Sequence, residues 1–263
     1  MLGKLQKWLS GSVEAAPGRA RLSAEIWPSV IYAIGDIHGC LEEFETLERL
    51  ILDDAKSVTG EKWIITLGDY VDRGPASARV LEKLIGPAPE GFERISLCGN
   101  HEALMLDYFD NPVGEGPWLD YGGVETLLSY GIKARDLLAL SKPERKTMLS
   151  SRIPTAHLNW MRRLPSMLAL PGTIFVHAGL RPGISLDNQA EKDLIWIREP
   201  FLSATELPVA RVIHGHTPGP EPVVTPVRID VDTAAFASGR LTAVRLTPDG
   251  AFSFIDTSFG SGT

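Results

Sequence analysis

Apolar and polar positions alternate with two different periods through the first half of the chain. Short runs rich in apolar and β-branched residues are typical of buried strands, and i, i+3, i+4 spacing of apolar residues is typical of amphipathic helices. Strands separated by helices in this way predict βαβ units and a parallel sheet. The predicted strands are Val30–Ile34, Trp63–Leu67 and Arg94–Leu97, and the predicted helices are Leu41–Asp54, Ala76–Ile85 and a helix beginning near His101.

The second half of the chain has a different pattern of apolar and polar positions. Residues 112–165 contain mainly helical patterns, which we interpret as a helical elaboration beside the sheet that shapes access of the substrate. Short strands return after Ser166, and turns such as Pro248-Asp249-Gly250 indicate antiparallel pairing. The predicted helical segments are Leu137–Leu140, Pro143–Ser150 and His157–Leu164, and the predicted late strands are Ile174–Val176, Val209–Ile213, Arg228–Val231, Leu241–Leu246 and Phe252–Ile255.

These patterns predict an α/β fold in which two mixed β-sheets pack face to face and helices flank them. A chain of 263 residues with 44% hydrophobic side chains is long enough to bury such a core as one domain. We assign residues 29–263 to this domain and residues 1–28 to an N-terminal tail. A short amphipathic turn over Met1–Leu9 is an alternative for the start of the tail.

Charge and cysteine content narrow the classes of function. With 33 acidic and 26 basic residues the formal net charge is -7, which argues against a nucleic-acid partner. An acidic balance still permits a phosphorylated substrate, because bound metal reverses the charge locally. No apolar stretch approaches the ~18 residues that a membrane span needs. We read Cys40 and Cys98 as reduced thiols rather than a disulfide, and we expect a cytoplasmic protein.

Five polar clusters follow predicted strands. The carboxyl ends of strands in an α/β sheet line one crevice, so these distant loops are expected to meet there. Their glycines suit tight turns that let the backbone approach a ligand closely. The clusters are Gly35–Gly39, Gly68–Gly74, Gly99–Glu102, Val176–Gly179 and His214–Thr217.

The side chains in these clusters are the kinds that bind divalent metals. Asp and Asn supply oxygen and His supplies nitrogen, with no thiolate among them. Two ions about 3.5–4 Å apart need a shared carboxylate and separate terminal ligands, with open positions for water and substrate. We predict that one ion is held by Asp36, His38 and Asp69, and the other by Asp69, Asn100, His177 and His216.

The motifs GDIHG, GDYVDRG, GNHE, VHAG and GHT resemble, in this order, the signature of metallo-dependent phosphoprotein phosphatases in the calcineurin-like metallophosphoesterase superfamily. The resemblance covers roughly Ile31 to Pro218 and implies a β-sandwich core, a metallophosphatase activity and the six metal ligands named above. It further implies that His101 is a general acid oriented by Asp72. Arg73, Arg198 and Asn100 match phosphate-binding residues of the family.

Two features place the chain nearer to the bacterial branches of this family. Cys98 stands where many members have an arginine before GNHE, so one phosphate contact is missing. The segment Tyr121–Leu127 and the Trp-Ile-Arg string ending at Arg198 also look more like bacterial members. These branches include serine/threonine and tyrosine protein phosphatases and symmetrical diadenosine tetraphosphatases.

The leading hypothesis is a protein phosphatase that removes phosphate from Ser, Thr or Tyr by attack of a metal-bridging hydroxide. The alternative is a symmetrical dinucleoside polyphosphate (diadenosine tetraphosphate) hydrolase, and a third hypothesis is an inactive phosphate-binding scaffold. A cyclic-nucleotide phosphodiesterase is disfavoured, because no second His follows His216 at the expected spacing. We expect two divalent ions, with Mn²⁺ favoured over Fe or Zn²⁺.

Several residues in or near these clusters also have interpretations without a catalytic role. Asp72 and Arg73 could form a surface ion pair, and Arg198 could pair with its neighbour Glu199. We interpret His214 as a residue behind the ligands and Glu102 as a local hydrogen-bonding partner.

Overall fold

A computed structural model describes residues 6–7 and 18–260 of the chain. The strands are β1 Gln6–Lys7, β2 Arg21–Ser23, β3 Val30–Ile34, β4 Lys62–Thr66, β5 Phe92–Ser96, β6 Met167–Leu170, β7 Thr173–Val176, β8 Arg211–His214, β9 Val223–Val224, β10 Arg228–Asp230, β11 Thr242–Leu246 and β12 Phe252–Asp256. The α-helices are α1 Leu41–Asp54, α2 Ser77–Ile85, α3 Asn100–Asp110, α4 Val124–Ser129, α5 Ala134–Leu138, α6 Lys142–Arg152, α7 Thr155–Arg163, α8 Glu191–Trp196 and α9 Ala235–Ser238.

The strands form two mixed sheets. The larger has the order β1-β2-β6-β7-β8-β10-β9, and the smaller has the order β12-β11-β3-β4-β5. In the smaller sheet β3, β4 and β5 are parallel, as the βαβ pattern predicted, whereas β11 and β12 are antiparallel. In the larger sheet β7, β8 and β10 run parallel to one another. The antiparallel prediction for the late strands therefore holds for β11 and β12 but is wrong for β8 and β10.

Period-2 alternation explains why the two sheets stack. Ile31 and Ala33 of β3 join Phe175 and Ile213 of the other sheet in one buried cluster between the sheets. The intervening Tyr32 of β3 faces the opposite way, into a cluster built with the helices. Apolar residues on both faces of a strand are expected where both faces are covered. The predicted arrangement, in which two mixed sheets pack face to face and helices flank them, is confirmed.

Helix α1 shows how closely a strong pattern fixes an element. Leu41, Phe44, Leu47 and Ile51 are buried on one face, and the predicted bounds Leu41–Asp54 agree with the structure. Acidic residues in its first turn complement the positive end of the helix dipole. No helix in the described ranges combines the length and apolar character that crossing a membrane requires.

The structure assigns part of the predicted tail to the larger sheet. Arg21–Ser23 pair in parallel with Met167–Ala169 of β6, and Arg21 donates hydrogen bonds to the carbonyls of Leu186 and Asp187. A three-residue strand carries too little alternation to be seen in a sequence, because its partner supplies most of its stabilisation. The amphipathic turn considered for Met1–Leu9 lies outside the described residues except for β1.

The segment predicted as a helical elaboration, about 112–165, contains α4 to α7 and a kinked turn, Leu119–Gly123, in which Gly122 has a φ of 105°. Leu127 and Leu137 from this segment pack into the same cluster as Phe44 of α1. The kinked turn ends beside the loop after β4, where Gly122 accepts a hydrogen bond from the backbone N–H of Arg73. The elaboration thus reaches the edge of the sheet where the polar clusters lie.

Replacing Phe175 with Ala tests the packing between the sheets. Phe175 is fully buried, so its truncation leaves a cavity and should lower the free energy of unfolding by about 3–5 kcal/mol. Denaturant titration measures the change. The control Ile26→Ala, at a side chain that is 63% exposed, should change it by less than about 0.5 kcal/mol. A loss below about 1 kcal/mol for Phe175→Ala would contradict this packing.

Candidate metal centre and catalytic site

The six predicted metal ligands lie together at the carboxyl ends of five strands. Each follows its strand directly or within a short glycine-containing loop, which is how residues from 36 to 216 meet. All are polar and nearly inaccessible to solvent. Their side chains belong to Asp36, His38, Asp69, Asn100, His177 and His216.

Asp69 lies at the middle of this group. Its Oδ2 is 3.6 Å from Nε2 of His38 and 3.4 Å from Nε2 of His177. The same oxygen is 3.8 Å from Nε2 of His101. A carboxylate that faces imidazoles on two sides occupies the position expected for a ligand shared by two ions.

The remaining residues lie on either side of Asp69. On one side, Nε2 of His38 is 4.0 Å from Oδ2 of Asp36. On the other, Oδ1 of Asn100 is 2.9 Å from Nε2 of His177 and 2.9 Å from Nδ1 of His216. Two groups in the described chain have the spacing of a metal site, namely His38, Asp69 and His101, and Asp69, His177 and His216. By this spacing, His101 rather than Asp36 completes the group with His38 and Asp69.

The chemistry of these residues fits a pair of divalent cations. Nε2 of His38 and Nε2 of His216 are buried without a hydrogen-bond partner, a costly state that a bound cation would relieve. Burial lowers the pKa of His38 to about 3 and that of His216 to about 3, which keeps both imidazoles in the neutral form that ligates metal.

The two aspartates respond differently to their surroundings. Burial and the charge of Asp232 raise the pKa of Asp36 well above its usual value. Burial acts in the same direction on Asp69, but the neighbouring imidazoles of His177 and His101 hold its pKa well below the usual value. A dication beside Asp36 would favour its ionised form and remove the penalty of its burial.

Five residues of the site have backbone conformations that side chains rarely adopt. The φ angles are 44° at His38, 52° at Asp69, 74° at Asp72, 67° at Arg73 and 69° at His216. Such positions cost of order 1–3 kcal/mol each and persist only where surrounding contacts hold them. Here the carbonyl of Asp69 accepts the N–H of His38, at 2.8 Å. In these backbone conformations the side chains of His38, Asp69 and His216 face one another at the ends of their strands.

Glycines make room for the two carboxylates. A Cβ atom on Gly99 would clash with Oδ1 of Asp69, and one on Gly215 would clash with Oδ1 of Asp36. These two glycines are therefore required by the close approach of a carboxylate from a different loop.

Glu102 ties two of these loops together. Its carboxylate accepts hydrogen bonds from the backbone N–H groups of Gly99 at 2.9 Å, Asp69 at 3.0 Å and Tyr70 at 2.7 Å. Burial raises the pKa of Glu102 to about 7, while the N–H donors favour its ionised form. Its hydrogen bonds reach beyond its own loop, so its part is larger than the local one that the sequence suggested.

His101 and Asp72 form a buried pair beside the ligands. Nδ1 of His101 is 2.7 Å from Oδ2 of Asp72, which leaves Nε2 directed toward the ligand cluster. Trp118 Nε1 and Thr126 Oγ1 donate hydrogen bonds to the same carboxylate, at 3.0 Å and 2.8 Å. Although burial lowers the pKa of His101, the charge of Asp69 and the hydrogen bond to Asp72 raise it overall.

The plainer interpretation of Asp72 as a surface residue is wrong, because its side chain is fully buried. Trp118 and Thr126 were not identified from the sequence as parts of the site. They come from the helical elaboration, and no local signal indicates that this segment folds back onto the loop after β4.

The two predicted phosphate-binding arginines lie at the mouth of the cluster. Nη2 of Arg73 is 3.1 Å from Nε2 of His101, and Nη2 of Arg198 donates to the carbonyl of His216 at 3.2 Å. Glu199 accepts from Ser203 Oγ, at 2.6 Å, rather than pairing with Arg198. Arg73 and Arg198 line a small cavity. The other residues that line it are Asp36, Asp69, Asn100, His101, Tyr121, Trp196 and His216.

Two other residues noted in the sequence lie outside this cavity. His214 is fully buried, with Nε2 3.3 Å from Nη1 of Arg228 and Nδ1 3.8 Å from Oδ2 of Asp230. Cys98, which directly precedes the GNHE motif, is also fully buried. Both Cys98 and Cys40 are free thiols, as expected.

Known proteins resemble this chain in sequence. The family description of calcineurin-like phosphoesterases matches residues 29–221. A symmetrical bis(5'-nucleosyl)-tetraphosphatase of Aromatoleum aromaticum is 35% identical over 155 residues, which cover 58% of this chain but only 45% of that protein. An asymmetrical bis(5'-nucleosyl)-tetraphosphatase of Bacillus thuringiensis is 27% identical over 231 residues, 81% of this chain and 88% of the relative.

Solved structures share the fold at lower identity. A protein described as a candidate diadenosine tetraphosphatase has a TM-score of 0.63 and 22% identity, covering 90% of this chain and 97% of that one. A cold-active protein-tyrosine phosphatase of a Shewanella species has a TM-score of 0.55 and 18% identity, covering 88% and 83%. The sequence match extends over most of the chain and includes all five polar clusters. The chain therefore belongs to the calcineurin-like phosphoesterase family.

Proposed function

We propose that this chain is a phosphoric ester hydrolase that cleaves dinucleoside polyphosphates at a centre of two divalent metal ions. The observation that carries the substrate class is the similarity to bis(5'-nucleosyl)-tetraphosphatases, one of which aligns over 88% of its length. The site supports the reaction class, because it joins buried metal-binding side chains to two arginines and an imidazole–carboxylate pair.

This proposal favours the alternative over the leading hypothesis of the sequence analysis. The likeness to protein-tyrosine phosphatase is at 18% identity and concerns the fold. The buried Cys98 leaves Arg73 and Arg198 as the arginines that line the cavity. A phosphorylated Ser, Thr or Tyr of a protein remains the second candidate substrate, supported by the motifs shared with phosphoprotein phosphatases.

Asp36, His38, Asp69, Asn100, His177 and His216 would hold the two ions, which we propose are Mn²⁺. When bound, such ions activate water and neutralise charge on the phosphoryl oxygens. The donors, oxygen and imidazole nitrogen without thiolate, suit Mn²⁺ and also admit Fe or Zn²⁺.

The other residues bind and orient the substrate or move a proton. Arg73 and Arg198 would each present planar N–H groups to phosphate oxygens. Asn100 would contribute a side-chain amide beside them. When Arg73 donates to the phosphate instead of to Nε2, His101 would carry a proton on Nε2 and donate it to the leaving oxygen, while Asp72 fixes the ring through Nδ1.

The proposal includes a cytoplasmic location without a nucleic-acid partner. Two free, buried thiols fit a reducing compartment, and the net charge of -7 disfavours binding to nucleic acid.

Product analysis tests the substrate class. Incubation of the Mn²⁺-loaded protein with diadenosine tetraphosphate should yield two ADP if cleavage is symmetrical, or ATP and AMP if it is asymmetrical. Chromatography separates these nucleotides, and Asp69→Asn is the matched control without activity. Intact dinucleotide beside rapid hydrolysis of phosphoserine or phosphotyrosine peptides would reject the proposal in favour of a protein phosphatase.

Replacing His101 with Asn tests the general acid. Turnover of an unactivated ester should fall by ~10²–10⁴-fold, because the leaving oxygen loses its proton donor. The loss should be much smaller for p-nitrophenyl phosphate, whose leaving group needs little protonation. Steady-state kcat values for both substrates measure the difference, and equal losses would show that His101 has another role.

Metal removal tests the coupling of the centre to stability. Ions that bind only the folded state stabilise it by about 2.7 kcal/mol at a free concentration 100 times Kd. Chelation should therefore abolish hydrolysis and lower Tm, and added Mn²⁺ should restore both. In Asp69→Asn, whose shared carboxylate is lost, the Mn²⁺-dependent rise in Tm should largely disappear. A rise as large as in the unmodified protein would exclude Asp69 from the centre.

A further inference from the structure

The guanidinium of Arg73 lies over an aromatic ring from the C-terminal part of the chain. Its guanidinium carbon lies 4.7 Å from the centroid of the Phe236 ring. Its Nη2 lies 3.1 Å from Nε2 of His101. Over residues 18–260 no carboxylate lies within ion-pair distance of Arg73. The guanidinium of Arg73 thus contacts the ring of Phe236 and the imidazole of His101.

Stacking and phosphate binding use different parts of a guanidinium. An aromatic ring contacts the flat face through a cation–π interaction, whereas the N–H donors point outward in the plane. A carboxylate partner would occupy those donors and offset the positive charge. A contact with Phe236 through the flat face therefore leaves the positive charge of Arg73 in place, and it leaves the N–H groups free to meet His101 or a phosphate oxygen.

The position of Phe236 is itself well defined. It lies on the single turn α9, where the N–H of Ala234 donates to Oδ1 of Asp232 at 2.9 Å. Oγ of Ser238 donates to the carbonyl of Thr233 at 2.7 Å. The ring of Phe236 also meets His38 edge-on, with centroids 5.4 Å apart.

Burial of apolar surface does not explain this placement. Phe236 is 39% exposed, although it is a large hydrophobic residue on a turn that is closed by hydrogen bonds. Its position lies beyond residues 29–221, which match the family description. Nothing in that match assigns it a role.

We propose that Phe236 is a positioning residue that holds the guanidinium of Arg73 toward the substrate phosphate through stacking on the ring. This proposal rests on the proposed role of Arg73 in phosphate binding, and it does not depend on whether the substrate is a dinucleotide or a phosphoprotein.

The variant Phe236→Leu keeps an apolar side chain and removes the ring. With Mn²⁺-loaded protein and p-nitrophenyl phosphate, kcat/KM should fall roughly 3- to 30-fold, mainly through KM. The Kd of orthophosphate, measured by calorimetry, should rise by a similar factor, while metal content and Tm stay unchanged. Phe236→Tyr and Phe236→Trp restore a ring and should recover most of the loss.

Phe252→Leu is the matched control. Phe252 is 38% exposed and also lies against an arginine, with the Cζ of Arg211 5.4 Å from its ring centroid. It belongs to β12 and does not line the cavity. This variant should leave kcat/KM and orthophosphate binding unchanged.

A double-mutant cycle with Arg73→Ala separates positioning from a merely structural role. If Phe236 acts through Arg73, Phe236→Leu should change kcat/KM by less than about twofold once Arg73 is Ala. The same loss in both backgrounds, or a loss that Phe236→Trp does not recover, would overturn the proposal. Failure to cleave diadenosine tetraphosphate would reject only the proposed substrate, because the cycle is measured on p-nitrophenyl phosphate.

Discussion

The carboxylate of Asp69 is the constraint on which the rest of the site depends. It is 2% exposed and lies within 4 Å of imidazoles from three different loops. An ionised carboxylate in such a place is stable only if positive charge or hydrogen-bond donors surround it. The N–H of His101 donates to its Oδ1 at 3.0 Å, and bound cations would supply the remaining charge. Gly99 leaves room for this carboxylate, and Glu102 accepts the backbone N–H of Asp69 itself.

The sequence predicted the elements and residues whose signals are local. Helix α1 and strand β3 follow from unbroken periodicity, and the order of five motifs predicted the six polar side chains that the structure brings together. The prediction was possible because parallel strands end at the same edge of a sheet, so residues that are distant in sequence lie close together there.

Features that depend on long-range packing could not be predicted. Strand β2 is too short to show alternation, and it forms because Arg21–Ser23 find an open edge at β6. Trp118 and Thr126 reach Asp72 only because the helical elaboration folds back onto the loop after β4. The left-handed φ values at His38, Arg73 and His216 likewise contradict residue preferences, since the surrounding contacts determine them. The contact between Phe236 and Arg73 likewise depends on packing between segments that are distant in sequence.

Above all, we propose that two cations share the carboxylate of Asp69. A crystal structure of the Mn²⁺-loaded protein, with anomalous scattering recorded at the manganese edge, tests it most directly. We predict two anomalous peaks about 3.5–4 Å apart, each within bonding distance of the Asp69 carboxylate. A single peak, or two peaks with Asp69 bound to neither or only one, would contradict the account.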